Sequence, residues 1–207
     1  YQLQLKKNYS VSDRISFIKG KIPNLWWPIK LDALCTNAGF FPNNNEKLPE
    51  FYQVNLEAIK SIDILGSYIE KEIFFSDVYS KDMIRVNLDG YYAPFLYEKP
   101  WTAALKGKKV LVIHPFDSEI KSQYSKRALL WKDKNVLPDF DLITYKPVVS
   151  MLGQQTEYRS WIEALEKMQS DIQKIDFDIA LIGCGAYGMP LASFIKGMGK
   201  QAVHLAG

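Results

Sequence analysis

Gly183, Gly185 and Gly188 follow the apolar run Ile179–Ile182, and Pro190 stands where a helix would begin. Glycine lets a backbone take positive φ and approach a ligand closely. Proline suits a first helical turn, where its missing N–H has no partner to lose. A strand turning on glycines into a helix presents free N–H groups and the positive end of a dipole, which favours a phosphate. The Gly-x-Gly-x-x-Gly spacing fits the dinucleotide fingerprint, which also expects an acid roughly 20 residues on. His204 stands there instead. The pattern therefore favours a phosphorylated, nucleotide-bearing ligand over NAD or FAD. The structural alternative is a tight turn that lets helix and sheet pack closely.

Other residues could act beside this turn. His114 follows an apolar strand and could donate to a phosphate or move a proton near neutral pH; otherwise it is a loop histidine bonded to backbone. Gln123 and Arg127 share a helix face, and an Arg fork suits a diphosphate; otherwise they line a solvated face. Tyr187, inside the glycine turn, would stack on a base or sugar, or plug the end of the sheet. Asp63 and Glu70 read as carboxylates on one helix, about 10 Å apart along its axis, or as surface acids. His204 reads as a satisfied structural histidine. Cys184 lacks a paired base and reads as a small packed residue. No His/Cys cluster has metal spacing and no Gly-x-Ser-x-Gly elbow occurs, so metal ligands stay unassigned.

The elements that must position these residues follow from periodicity. Phe51, Val54, Ala58, Ile62, Leu65 and Ile69 recur at three and four, predicting one helix. Pro100-Trp101 starts a short helical segment that Gly107 ends. Lys109–Ile113 is an apolar run of the kind buried on both faces of a parallel sheet. Residues 118–132 read as a helix carrying Ile120, Tyr124 and Trp131. Phe140–Tyr145 is the next strand. Trp161, Leu165, Met168 and Ile172 stripe a helix. Strand Ile179–Ile182, helix Leu191–Met198 and strand Gln201–Leu205 complete the series. This alternation predicts an α/β fold: a Rossmann-like open, mostly parallel sheet with flanking helices, preceded by a mainly helical N-terminal region. Residues 1–107 form that region, packed on the sheet; residues 108–207 form the nucleotide-binding part, unless the two make one continuous domain. Ligands in such folds sit beyond the carboxyl ends of the strands, which groups His114, the glycine turn and His204.

Composition sets limits. The 207 residues suffice for a substantial core, and 47% hydrophobic with 24% charged residues is ordinary for a globular chain. A net charge of +3 does not suggest a nucleic-acid protein. Cys35 and Cys184 make no disulfide framework. No run reaches membrane-spanning length and no secretory signal is present, so the cytoplasm is the expected location. The chain opens at Tyr1 and stops two residues after a predicted strand, so both ends read as cut. Trp26-Trp27-Pro28 reads as an aromatic turn.

Several segments together resemble a bacterial family of glycosyltransferases with the GT-D type of fold. They are Asn37-Ala38-Gly39-Phe40-Phe41-Pro42, Ile62-Asp63-Ile64-Leu65-Gly66-Ser67, Lys108–Phe116 with Gln123-Tyr124, and Asp176–Gly188. The resemblance implies a transferase that moves a sugar from a nucleotide-sugar donor to a glycan or glycoprotein acceptor. It also implies a divalent cation, Mn or Mg, handled by an acidic Asp-x-Glu-type motif near the N-terminus, where this chain has none. On that reading Gly183, Gly185, Tyr187, Gly188, His114, Gln123 and Arg127 bind the nucleotide diphosphate, with His114 and Asp63 the catalytic candidates. The alternatives are a non-catalytic nucleotide- or sugar-binding module and, third, an NAD(P)-dependent oxidoreductase.

Overall fold

A computed structural model describes residues 10–19, 31–68 and 70–206. Trp26, Trp27, Pro28 and Ile69 lie outside them. Helices α1 (Val11–Ile18), α2 (Leu31–Ala38) and α3 (Leu48–Lys60) come first. Strands β1 (Ile64–Ser67) and β2 (Ile84–Asn87) pair in parallel, and the short α4 (Leu88–Tyr92) follows. The second half runs β3 (Lys109–Ile113), α5 (Asp117–Tyr124), α6 (Arg127–Leu130), β4 (Asp141–Tyr145), α7 (Trp161–Ile172), β5 (Ile179–Gly183), α8 (Gly188–Gly197) and β6 (Gln201–Ala206).

Strands β3 to β6 form one sheet in the order β4-β3-β5-β6, and every pair is parallel. The chain steps outward from β3 to β4, then crosses back over β3 to β5. Strand order therefore reverses between β3 and β5, the position where open parallel sheets form a crevice.

Side chains alternate across the sheet. Leu111, Ile113, Ala180 and Ile182 face a core shared with Trp161, Leu165 and Met168 of α7 and Leu191 and Ile195 of α8. Val110 and Ile179 face the other way, onto Leu105, Trp101 and Tyr124. Helical segments thus cover both faces. Phe40, Leu48, Phe51 and Val54 belong to the α7/α8 core, with Leu31 and Leu34 packed against it, so α2 and α3 are built onto the sheet.

Two expectations are corrected. The helix expected from Phe51 onward ends at Lys60, and Leu65 lies in β1. Gly66 weakens that stretch as a helix, and pairing with β2, far along the chain, supplies the backbone partners. Asp63 and Glu70 therefore share no helix, and the N-terminal region, expected to be mainly helical, also holds a two-stranded parallel sheet. The helix expected over 118–132 is broken: Ser125 caps α5, its hydroxyl donating to Ser122 O at 2.7 Å, and Trp131 is extended.

Candidate functional site

A cleft of about 200 Å³ opens at the carboxyl ends of β3, β4 and β5. Three loops line it: His114–Phe116 after β3, Pro147–Met151 after β4, and Gly183–Gly185 with Tyr187 after β5; Ala38 closes one side. Ligand pockets usually measure about 300–1,000 Å³, so this cleft encloses part of a nucleotide-sized ligand. Its walls are mainly apolar.

His114 is held by its surroundings. Its N–H donates to Tyr145 O at 3.2 Å, and its Nδ1 accepts from the Phe116 N–H at 3.1 Å. A neutral ring so bonded carries its proton on Nε2, which is left as a donor. Phe116 leans against the imidazole, centroids 5.3 Å apart, and is itself exposed.

Gly183 and Gly185 border the cleft. Gly185 has φ +62, a conformation glycine adopts without strain. A single 3-10 turn, Gly185–Tyr187, leads into α8, and the Gly188 N–H bonds back to Gly185 O. The start of the helix is thus one turn earlier than α8 itself. The amides next to the cleft belong to the turn.

Gly188 does not line the cleft. It is buried, and a Cβ there would lie 2.3 Å from His204 Nε2. Its missing side chain makes room for an imidazole rather than for a phosphate. Tyr187 is 2% exposed. Its ring lies parallel to Trp161, centroids 4.8 Å apart, and its hydroxyl is 3.2 Å from Ser150 Oγ. It plugs the end of the sheet, and its flat face is already occupied. Burial raises the pKa of its phenol, and pushes the Cys184 thiol up to about 12. A thiol so raised stays protonated at neutral pH, as a packed residue would.

Three further candidates lie away from the cleft. Helix α5 runs back along the sheet, so Gln123 and Arg127 end near the amino ends of the strands. Arg127 pairs there with Asp139, two residues before β4, and its guanidinium sits 4.7 Å from the Tyr124 ring centre. Asp63 is exposed and pairs with Lys196 at 2.7 Å. Lys196 is in the last turn of α8, about 12 Å along the helix from Gly188.

The cleft brings in residues that motif reading passed over. Ser150 is buried, donates to Gly39 O at 2.6 Å and joins Tyr187 in one polar chain. Gly39 (φ +73) permits this approach, because a Cβ would meet Ser150 Oγ at 2.8 Å. Asp117-Ser118-Glu119 begins α5, immediately after the His114 loop. The Glu119 carboxyl is held below its ordinary range by its own backbone N–H and by Ser118, with Lys146 a lesser influence. For Ser150 and Asp117–Glu119 the available signal was positional: they follow the carboxyl ends of predicted strands. Among the described residues no group of three His, Cys, Asp or Glu side chains gathers as a metal cluster would.

Comparison of the chain with protein-family models, with curated proteins and with solved structures returns no match.

Proposed function

We propose that this chain is a glycosyltransferase that takes its sugar from a nucleotide-sugar donor held over the cleft between β3 and β5. The sheet then serves as a Rossmann-like donor layer. The observation that carries the reading is the cleft at the reversal of strand order, bordered by the Gly183–Gly185 turn and by His114. Turn amides and the His114 Nε2–H are the donors for diphosphate oxygens, and the exposed Phe116 ring offers a face for the base or sugar. Lys146, directly after β4, brings a cation to this end of the sheet, as Arg127 does not.

In the transfer, an acceptor hydroxyl oxygen bonds to the anomeric carbon as the bond from that carbon to the phosphate oxygen breaks. The nucleoside diphosphate leaves with the bonding electrons, and the hydroxyl proton passes to a carboxylate. Asp117, half-buried one residue beyond Phe116, is the carboxylate this reading assigns. Glu119, exposed two residues further on, suits Mg or Mn, which bind through one or two carboxylates plus substrate phosphates. Such an ion would offset charge on the diphosphate.

Calorimetric titration with uridine and guanosine diphosphates, with and without manganese, tests the reading. Binding of one of them is expected, and His114→Ala should weaken it by about tenfold, the value of one charge-assisted hydrogen bond. No binding by either nucleotide under either condition sinks the proposal. A second reading, donor binding without transfer, is favoured by the apolar cleft lining, which contains no carboxylate. Donor hydrolysis or transfer that Asp117→Asn abolishes while leaving binding intact decides for the enzyme.

A further inference from the structure

Phe95, Leu96, Leu129, Leu130 and Trp131 are all exposed, Leu129 at 86% and Leu96 at 66%. They come from two segments joined by one contact: the rings of Phe95 and Trp131 stack with centroids 4.9 Å apart. A soluble surface tolerates scattered apolar residues, but a grouped set marks an interaction face. Leu129 gains nothing from its position unless something removes water from it.

The charge around this patch is mainly positive. Residues 121–134 contain five Lys or Arg against one Asp. Arg127 is held by Asp139, and Lys134 donates to the carbonyls of Ala128 and Trp131, fixing the loop. Lys126 and Lys132, which flank the apolar tip, are exposed and form no ion pair among the described residues. Lys99, also exposed, follows the Phe95 segment, with the exposed Glu98 beside it. Apolar tips ringed by unpaired lysines match an anionic bilayer surface, where the lysines meet headgroups and the aromatic and aliphatic side chains enter the interface.

Two other occupants fit less well. A symmetric pair of copies would set the same lysines against each other, since such interfaces are self-complementary. A nucleic acid would use the charge and an aromatic face, but Trp131 is already stacked on Phe95, and bare leucines add nothing to phosphate binding. We infer that the face formed by residues 95–96 and 126–132 docks the protein on anionic membrane surfaces. This goes beyond the proposed transferase activity and does not depend on it.

Co-sedimentation of the whole chain with vesicles tests it, comparing phosphatidylcholine alone with phosphatidylcholine mixed with phosphatidylglycerol. At low salt, partitioning to the anionic vesicles should exceed that to the neutral ones by at least about tenfold, and added salt should reduce it. Lys132→Glu should lower anionic binding severalfold, and the double variant Leu129→Asp, Leu130→Asp should lower it about tenfold or more. Both changes are on the surface, and an unchanged melting temperature confirms that the fold survives. Equal partitioning to both vesicle types, or full binding by the lysine variant, overturns the inference. So does finding that the same face drives self-association or shifts a DNA duplex, with no preference for anionic vesicles.

Discussion

Gly188 has no side chain because His204 occupies the space one would need. The backbone there is ordinary helix (φ −60, ψ −48), so alanine is conformationally allowed. The cost of Gly188→Ala therefore arises from the clash with the imidazole, on the order of 1–3 kcal/mol as in other overpacked sites. Adding His204→Ala should recover much of that loss, because the two substitutions act on one contact. Urea midpoints of the single and double variants check this; strictly additive losses would refute the contact as the cause. Gly188 thus contributes to packing, while Gly185, at φ +62, sets the path of the loop. Two glycines of one motif serve different physical ends.

At the scale of elements, α7 is the clearest case of local sequence setting local structure. Trp161, Leu165, Met168 and Ile172 are all buried on one stripe. Ser160 caps the helix by accepting from the Glu163 N–H at 3.2 Å, and Glu163 reaches back to the Arg159 N–H at 2.7 Å. Ser160→Ala should cost about 0.5–2 kcal/mol, the usual value of such a cap; a thermal or urea melt reads it. The cap matters to the cleft because Trp161, the first residue of α7, backs Tyr187. The stretch after Lys60 is the opposite case. Its three-and-four spacing reads as helix, yet Leu65 pairs with Arg85 in a two-stranded sheet. A period can be read along the chain, but a strand partner some 20 residues away cannot.

For the molecule as a whole, burial of neutral acids sets the response to alkali. Burial pushes the pKa values of Cys184 and Tyr91 up to about 12 and raises those of Tyr145 and Tyr187. In the unfolded chain these groups ionise from about pH 9 to 10. Between the unfolded and folded values the unfolded state holds fewer protons, so stability falls as pH rises. Below pH ~8 these groups stay almost wholly protonated in both states and contribute little slope. Urea midpoints should be nearly level from about pH 7 to 8 and fall above that, by about 1.4 kcal/mol per pH unit for each fully buried group titrating only when unfolded. Cys184→Ala should remove the earliest part of the fall. A stability curve level through pH ~10 would refute the buried-thiol assignment. Among the described residues no helix is long and apolar enough to cross a membrane.

The four parallel strands, helix α7 and the glycine turn could be read from the sequence, because each rests on short-range pattern: apolar runs, a 3.6-residue stripe, a turn chemistry. So could the end of the sheet where His114 and Gly185 meet, since in an open parallel sheet loops after strands collect at one edge. What each side chain does once there was decided only by tertiary packing. Arg127 has the chemistry for a diphosphate and Asp63 that of a catalytic carboxylate, but α5 and α8 run opposite to the strands, so Arg127, just after α5, meets Asp139 before β4, and Lys196, in the last turn of α8, meets Asp63. Tyr187 sits in the right loop, yet the approach of Trp161 and Ser150 turns it into a plug. Residue type and spacing specify which groups arrive at an edge of the sheet; the direction of the helices and the competition for space among distant residues specify which remain free to act.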